Sequence, residues 1–143
     1  MSPVVPRHMS QSAKTHIVRA AVPACAAGVD IASQPLFVAP ADIVIVAATL
    51  VGQAAAVGID AANTSVWELE TRLGAAQVAL ESETFNNLNT FPAAFTPLIV
   101  ADPGDLGVRI AAGTLICLNV TNGATAATPN ALVQIAYWIN EDV

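Results

Sequence analysis

Charge is scarce in this chain of 143 residues. Asp, Glu, Lys and Arg make up 11% of it, against about 25% in ordinary soluble domains. Lys14 is the single lysine, and the two histidines, His8 and His16, both fall near the start. Two cysteines, Cys25 and Cys117, stand far apart, and aromatic residues amount to 5%. Each scarcity excludes something. One lysine, with no glycine-rich turn of the required spacing, excludes a phosphate-cradling loop. Histidines confined to the start exclude an H-E-x-x-H metal helix and leave the body without a base for Ser-His-Asp or Cys-His chemistry. Scattered cysteines form no disulfide framework or thiolate metal site; they fit a reduced compartment, or thiols buried as small hydrophobes. A net charge of −6 excludes the basic face that a nucleic-acid binder carries. The expectation is a protein that is no enzyme, needs no cofactor or metal, and binds no nucleic acid.

Few charges with a mean hydropathy of +0.59 also exclude a disordered chain. The hydropathy does not come from membrane helices. The apolar stretch Ile43 to Ile59 contains Gly52, Gln53 and Gly58, and the stretch Ile110 to Asn140 is broken by Asn119, Asn122, Gly123, Pro129 and Asn130. Neither reads as the roughly 20 apolar residues that span a bilayer. Val22-Pro23-Ala24-Cys25 has a faint likeness to a lipoprotein cleavage site, but the apolar region before it is short and holds Arg19. Export is therefore not expected, and the Asn63-Thr64-Ser65 and Asn119-Val120-Thr121 triplets carry no glycosylation argument.

What is present is alanine, 29 residues of it, together with Val, Ile and Leu runs that must build the core. A length near 150 argues for one domain. So few charges cannot cover the outside of a monomer, so part of the surface is expected to be covered by partners, as obligate interfaces are. The charge is also unevenly placed. Arg7, Lys14 and Arg19 precede the first acid, Asp30, after which eleven acids stand against Arg72 and Arg109, giving a +3 arm ahead of a −9 body. The division expected is an extended arm over residues 1–30 and a domain over 31–143. The arm is expected to grip an acidic partner through Arg7, Lys14 and Arg19, with Ile17 and Val18 adding a strand to an exposed sheet edge.

The body reads as strands. Asp42 to Val51 is β-branched and almost continuously apolar, which predicts burial on both faces. Asn63 to Arg72 alternates, placing Trp67, Leu69 and Thr71 on one face and Glu68, Glu70 and Arg72 on the other. Further strands are expected over Leu36–Ala39, Ala76–Glu81, Phe95–Ala101, Leu106–Ile110, Thr114–Val120 and Ala131–Ile139, with turns at Gly74, Asp102-Pro103-Gly104-Asp105, Gly113 and Asn122-Gly123. About eight short strands at such spacing predict an all-β antiparallel sandwich, jelly-roll-like, with Val44, Val46, Trp67, Leu69, Ile116 and Ile135 in its core. Ala-rich Gln53–Val57 or Gly74–Leu80 leaves room for one helical turn. The carboxylate pairs Glu68/Glu70 and Glu81/Glu83 fit the solvated outer face of a sheet better than a sugar or calcium site, and Asp102 with Asp105 fit a Pro-Gly turn better than a calcium loop.

The order of features from Phe37 onward carries a resemblance. "LFVAPADIVIVAATLV" is followed by "GIDAANTSVWELE", a small-polar loop feeding an alternating strand, and then by "VRIAAGTLICLNVTNGATAATPNALVQIAYWI", which closes on a V-Q-I-x-Y strand. Over Leu36 to Ile139 this resembles the small jelly-roll decoration, or cement, proteins that stud the capsids of tailed bacteriophages. The resemblance implies a structural virion protein on the capsid outer surface, binding the major capsid protein at junctions between its subunits, commonly as a homotrimer, and without a membrane partner. It marks no capsid-contact residues, so the arm residues rest on charge and position alone. The alternative from another class is a receptor- or carbohydrate-binding jelly-roll module of a phage fibre or tail.

Overall fold

A computed structural model describes residues 15–101 and 109–139. Its strands are β1 (Thr15–Val22), β2 (Ile31–Val38), β3 (Ile43–Gly52), β4 (Ser65–Leu73), β5 (Ala76–Phe85), β6 (Leu98–Ala101), β7 (Arg109–Ile110), β8 (Leu115–Asn122) and β9 (Ala131–Ile139), and no helix occurs among the described residues. The order β1-β9-β3-β6, with β7 also on β3, makes one sheet; β2-β8-β4-β5 makes the other. All pairs are antiparallel. Because β6 pairs with Ala48–Leu50 and β7 with Ile43–Val44, the two share one edge position, and the sandwich has eight strand positions.

The connectivity is a jelly roll, and the pairings show why. β4 pairs with β5, β3 with β6 and β7, β2 with β8, and β1 with β9. These pairs are nested, as in one long hairpin whose tip is the two-residue turn Gly74-Ala75 between the partners Leu73 and Ala76. Gly74 takes a φ of 61° there, a conformation that short hairpin turns favour and glycine adopts without a Cβ penalty. Two further pairings, β3 with β9 and β4 with β8, roll the ribbon into two packed sheets.

Alternation along each strand places the core between the sheets. Ile43, Ile45, Leu50 and Ile135 from the first sheet meet Phe85 and Ile116 from the second, all fully buried. Phe91 tilts against Trp67 at 5.7 Å and meets Phe85 edge-on at 4.9 Å. At the other end, Tyr137 is sandwiched between His16 at 5.2 Å and Phe37 at 5.4 Å. Of the expected core positions, Trp67, Leu69, Val46, Ile116 and Ile135 are buried, and Val44 is not. The reason is a bulge between Ile45 and Ala47, which changes the phase of β3. Ile43 and Ile45 precede it on the core side, Ala48 and Leu50 follow it, and Val44 points outward.

Two other expectations change. Thr15–Val22, expected within a free arm ending at residue 30, is an edge strand in register with β9 along its whole length. Ile17, Val18 and Arg19 do add a strand to a sheet edge, but the sheet is their own. Val18 and Val22 turn toward the core, and that burial is what brings the segment into the domain. β5 runs on to Phe85 rather than stopping at Glu81, because Phe85 is drawn into the core at full burial.

One end of the sandwich is tied by the β8–β9 connection. Cys25 and Thr128 exchange backbone hydrogen bonds, as do Val57 and Ala127, so this connection pairs with the β1–β2 and β3–β4 loops at once. Buried Asn122 completes the tie. Its Oδ1 accepts from Ser65 Oγ at 2.6 Å, and its Nδ2 donates to the Val29 carbonyl at 3.0 Å and to Thr128 Oγ1 at 3.3 Å. The indole of Trp67 in turn donates to Ser65 Oγ at 3.1 Å.

Replacing Asn122 with Ala should leave the buried Ser65 hydroxyl without an acceptor for its proton and remove the side-chain donor to the Val29 carbonyl and Thr128 Oγ1. The expected loss is about 2–4 kcal/mol, a drop of about 5–15 °C in thermal midpoint, measured by circular dichroism. A shift below about 2 °C would mean that water replaces the side chain at no cost. The terminal strand gives a second expectation. A chain starting at Thr15 should unfold like the full chain, whereas one starting at Asp30 loses β1, bares the edge of β9 and should aggregate on concentration.

Candidate functional site

The two sheets differ on their outer faces. On the first sheet, Leu132, Gln134, Ala136 and Trp138 of β9 stand outward, flanked in register by Ala21, Arg19, Ile17 and Thr15 of β1 and by Val51, Thr49, Ala47 and Val44 of β3. Eight of these twelve residues are apolar, three are uncharged polar groups, and Arg19 is the one charge. Arg19 is exposed midway along β1, the edge strand of the patch. Ile17 is 49% and Leu132 38% exposed. The β3 sequence predicts burial on both faces, and the described residues supply a cover on one. The other, Val44, Ala47 and Val51, is half-buried at the surface.

The patch continues past Val51 and Leu132 into a cleft of about 310 Å³ lined also by Gly52, Gln53, Asn130, Ala131 and Phe95. Phe95 is 73% exposed and has a φ of 56°, a left-handed conformation that costs a non-glycine residue about 1–3 kcal/mol. It is held by donation of its N–H to the Gly52 carbonyl at 2.8 Å. An aromatic side chain is thus kept out in solvent by a strained backbone beside an apolar hollow.

The second sheet carries a paired polar cluster on its outer face. Glu70, expected on a solvated face, is 3% exposed. Ser33 Oγ donates to its Oε1 at 2.8 Å and Gln77 Nε2 to its Oε2 at 2.7 Å, and Arg72 Nε lies 3.3 Å from Oε1. Ser33 reaches it from a bulge in β2, at a φ of 53°, where its N–H also donates to Asn119 Oδ1 at 2.7 Å. Burial alone would raise the Glu70 pKa, but hydrogen bonds from Ser33, Gln77, Asn119 and Arg72 outweigh it and hold the carboxyl below its ordinary value. Beside it, burial and then the Glu70 charge push the Cys117 thiol up, so this fully buried sulfur stays a thiol.

The sequence-nominated residues separate accordingly. Arg19 and Ile17 stand outward on the first sheet, and Val18 turns to the core. Arg7, Lys14, Asp102 and Asp105 lie outside the described residues. Glu81 and Glu83 oppose Leu69 and Trp67 and border a cavity of only about 20 Å³. With Trp67 at 4% exposure, no aromatic face is offered there to a sugar ring. Among the described residues, no three His, Cys, Asp or Glu side chains are grouped to hold a metal, and no helix is long and apolar enough to cross a membrane. The signal that reading by strand missed was the outward half of three strands taken together, since register joins residues far apart in sequence.

Glu70 gives a pH expectation. Its lowered folded pKa means that its contribution is complete above the ordinary value of 4.5 and is lost as pH falls from there through the folded value. Urea midpoints should therefore drop more steeply below that pH for the wild type than for Glu70→Gln, which should itself be about 1–3 kcal/mol less stable at pH 7. Parallel acid limbs in the two proteins would assign the pH dependence to other groups.

Comparison with protein-family models, with curated proteins and with solved structures finds no match to this chain.

Proposed function

We propose that this chain is a structural virion protein that decorates and stabilises a bacteriophage capsid, bound at junctions between major capsid subunits as a homotrimer. The observation that carries the reading is the outer face of the first sheet, where three strands present one charge among twelve residues. A patch of that kind is tolerated where something covers it, and a protein whose work is to be covered has no need of a concave chemical site. The jelly-roll connectivity, the low charge and the cationic leading segment support the same reading, together with the resemblance over Leu36–Ile139.

The segment proposed to reach out is residues 1–14, with Arg7 and Lys14, rather than residues 1–30, since β1 belongs to the sandwich. Exposed ion pairs contribute only about 0–1 kcal/mol each. Apolar burial and the multivalency of a trimer therefore have to supply most of the affinity.

Two measurements test this. Labelled antibody viewed by electron microscopy should mark the outer surface of purified particles at regular lattice points; label confined to fibres or tail would move the assignment to a receptor-binding module. A chain starting at Thr15 should stay trimeric by sedimentation equilibrium, as the full chain should at about three times 14.6 kDa, yet decorate particles less well. Equal decoration would make residues 1–14 a solvated tail.

A further inference from the structure

We propose that the cleft beside Phe95 is a binding site for a neutral saccharide, a sugar ring lying on the phenyl face while its oxygens accept from the side-chain amides of Gln53 and Asn130. The inference goes beyond decoration and does not rest on it. At about 310 Å³ the cleft stands at the lower end of the range for small-ligand sites, about 300–1,000 Å³. Its polar groups sit on rigid elements. Gln53 directly follows β3 and Asn130 directly precedes β9. The Gln53 N–H donates to the Asn130 carbonyl at 2.8 Å, which carries the strand pairing one step past Gly52 and Ala131. Phe95 lines the same cleft, exposed and in a left-handed conformation. Strained backbone of this kind collects at ligand clamps, and here it holds a bare phenyl face beside a hollow.

The polar groups select the ligand. The Ala24 N–H donates to Asn130 Oδ1 at 2.9 Å, which fixes that atom as the oxygen, because a backbone N–H has only a proton to give. Asn130 Nδ2 then donates to Gln53 Oε1 at 3.4 Å. This relay engages both amide oxygens. It leaves one N–H of Asn130 Nδ2 and both of Gln53 Nε2 without a partner among the described residues. The backbone carbonyls here are engaged as well, that of Gly52 by the Phe95 N–H and that of Asn130 by the Gln53 N–H. The cleft therefore offers donors and calls for acceptors. None of the residues lining it is charged, so a phosphate or carboxylate would lose its water without gaining a counter-ion. An extended peptide needs acceptors for its own N–H groups, and those are taken. A neutral sugar meets every condition. Its oxygens accept, and the C–H groups of one ring face suit the negative face of a phenyl ring. The Glu81/Glu83 pair lacks such a face, since Trp67 beside it is buried.

The test uses the full chain, isotopically labelled so that the side-chain amide signals of Gln53 and Asn130 are followed by nuclear magnetic resonance. Glucose, galactose and N-acetylglucosamine are titrated separately, with glucuronic acid as the charged control. At least one neutral sugar should move both amide signals and those of Phe95, and glucuronic acid should bind more weakly. Phe95→Asn removes the ring with a residue that tolerates the left-handed conformation. Its thermal midpoint should match or exceed that of the wild type, while its affinity falls at least about fivefold. Gln53→Ala, at an exposed position, should weaken binding about threefold or more, and Phe95→Tyr should stay within about twofold of wild type. Sugars that leave the amide signals unmoved, or that bind Phe95→Asn as tightly as wild type, would overturn the assignment. Shifts at the cleft with N-acetyl-tetraalanine amide and none with the sugars would make it a peptide site, and would overturn it too. Should Phe95→Asn melt well below the wild type, the ring is structural and the Gln53→Ala titration decides alone. None of these outcomes touches decoration, which is read on particles.

Discussion

Rolling a nested hairpin is the constraint on which this structure depends. The four nested pairings alone would give a two-stranded ribbon, each strand with one partner and half of its backbone groups open. The β3–β9 and β4–β8 pairings close it, and they create the inner face on which Ile43, Leu50, Ile116 and Ile135 meet. Both join segments distant in sequence, so neither is favoured until much of the chain has collapsed. Hydrophobic alternation and register must therefore agree, since a slip by one residue would turn the core outward. The bulge in β3 is where the agreement is adjusted: it lets a ten-residue strand serve two edge partners and still return Ala48 and Leu50 to the core.

Every strand that crosses from one sheet to the other leaves the ladder, and its backbone needs partners elsewhere. At one end the β8–β9 connection supplies them to two loops, with Asn122 joining Ser65, Val29 and Thr128. The approach is close. A Cβ on Gly58, which has a φ of 72°, would stand 2.0 Å from the Thr125 carbonyl, so no other residue fits there without moving the backbone. Polar groups that face inward or lie under a sheet are thus answered within the chain. The first sheet's outer face offers apolar side chains that no described residue covers, where the second sheet's carries a paired polar cluster about Glu70.

Much of the fold was legible because alternation is local. Trp67, Leu69 and Thr71 against Glu68, Glu70 and Arg72 can be read from ten consecutive residues, and the structure keeps them on the faces predicted. What was not legible depends on contacts between remote segments. Thr15–Val22 has the composition of a tail, and only β9 makes it a strand. Glu70 has the spacing of a solvated carboxylate, and only Ser33, Gln77 and Arg72 make it a buried one. The apolar patch draws on three strands that are first, third and last in the chain, so no window of sequence displays it. Continuous burial of β3 was nonetheless written in its run from Ile43 to Val51, half of it answered by the core.

The position of β9 has a consequence for how the chain is made. It is the last strand in sequence yet lies between β1 and β3. During translation β1 through β8 leave the ribosome before it, so the second sheet can assemble its four strands while the first waits with its middle missing. Until the closing residues emerge, β1 has no partner and β3 has one bare edge, both apolar. A nascent chain in that state resembles an open clamp. In a cell where many copies are translated at once, a β9 from a neighbouring ribosome fits the gap as well as its own does. Exchange of that strand between copies is then the misassembly this topology leaves open.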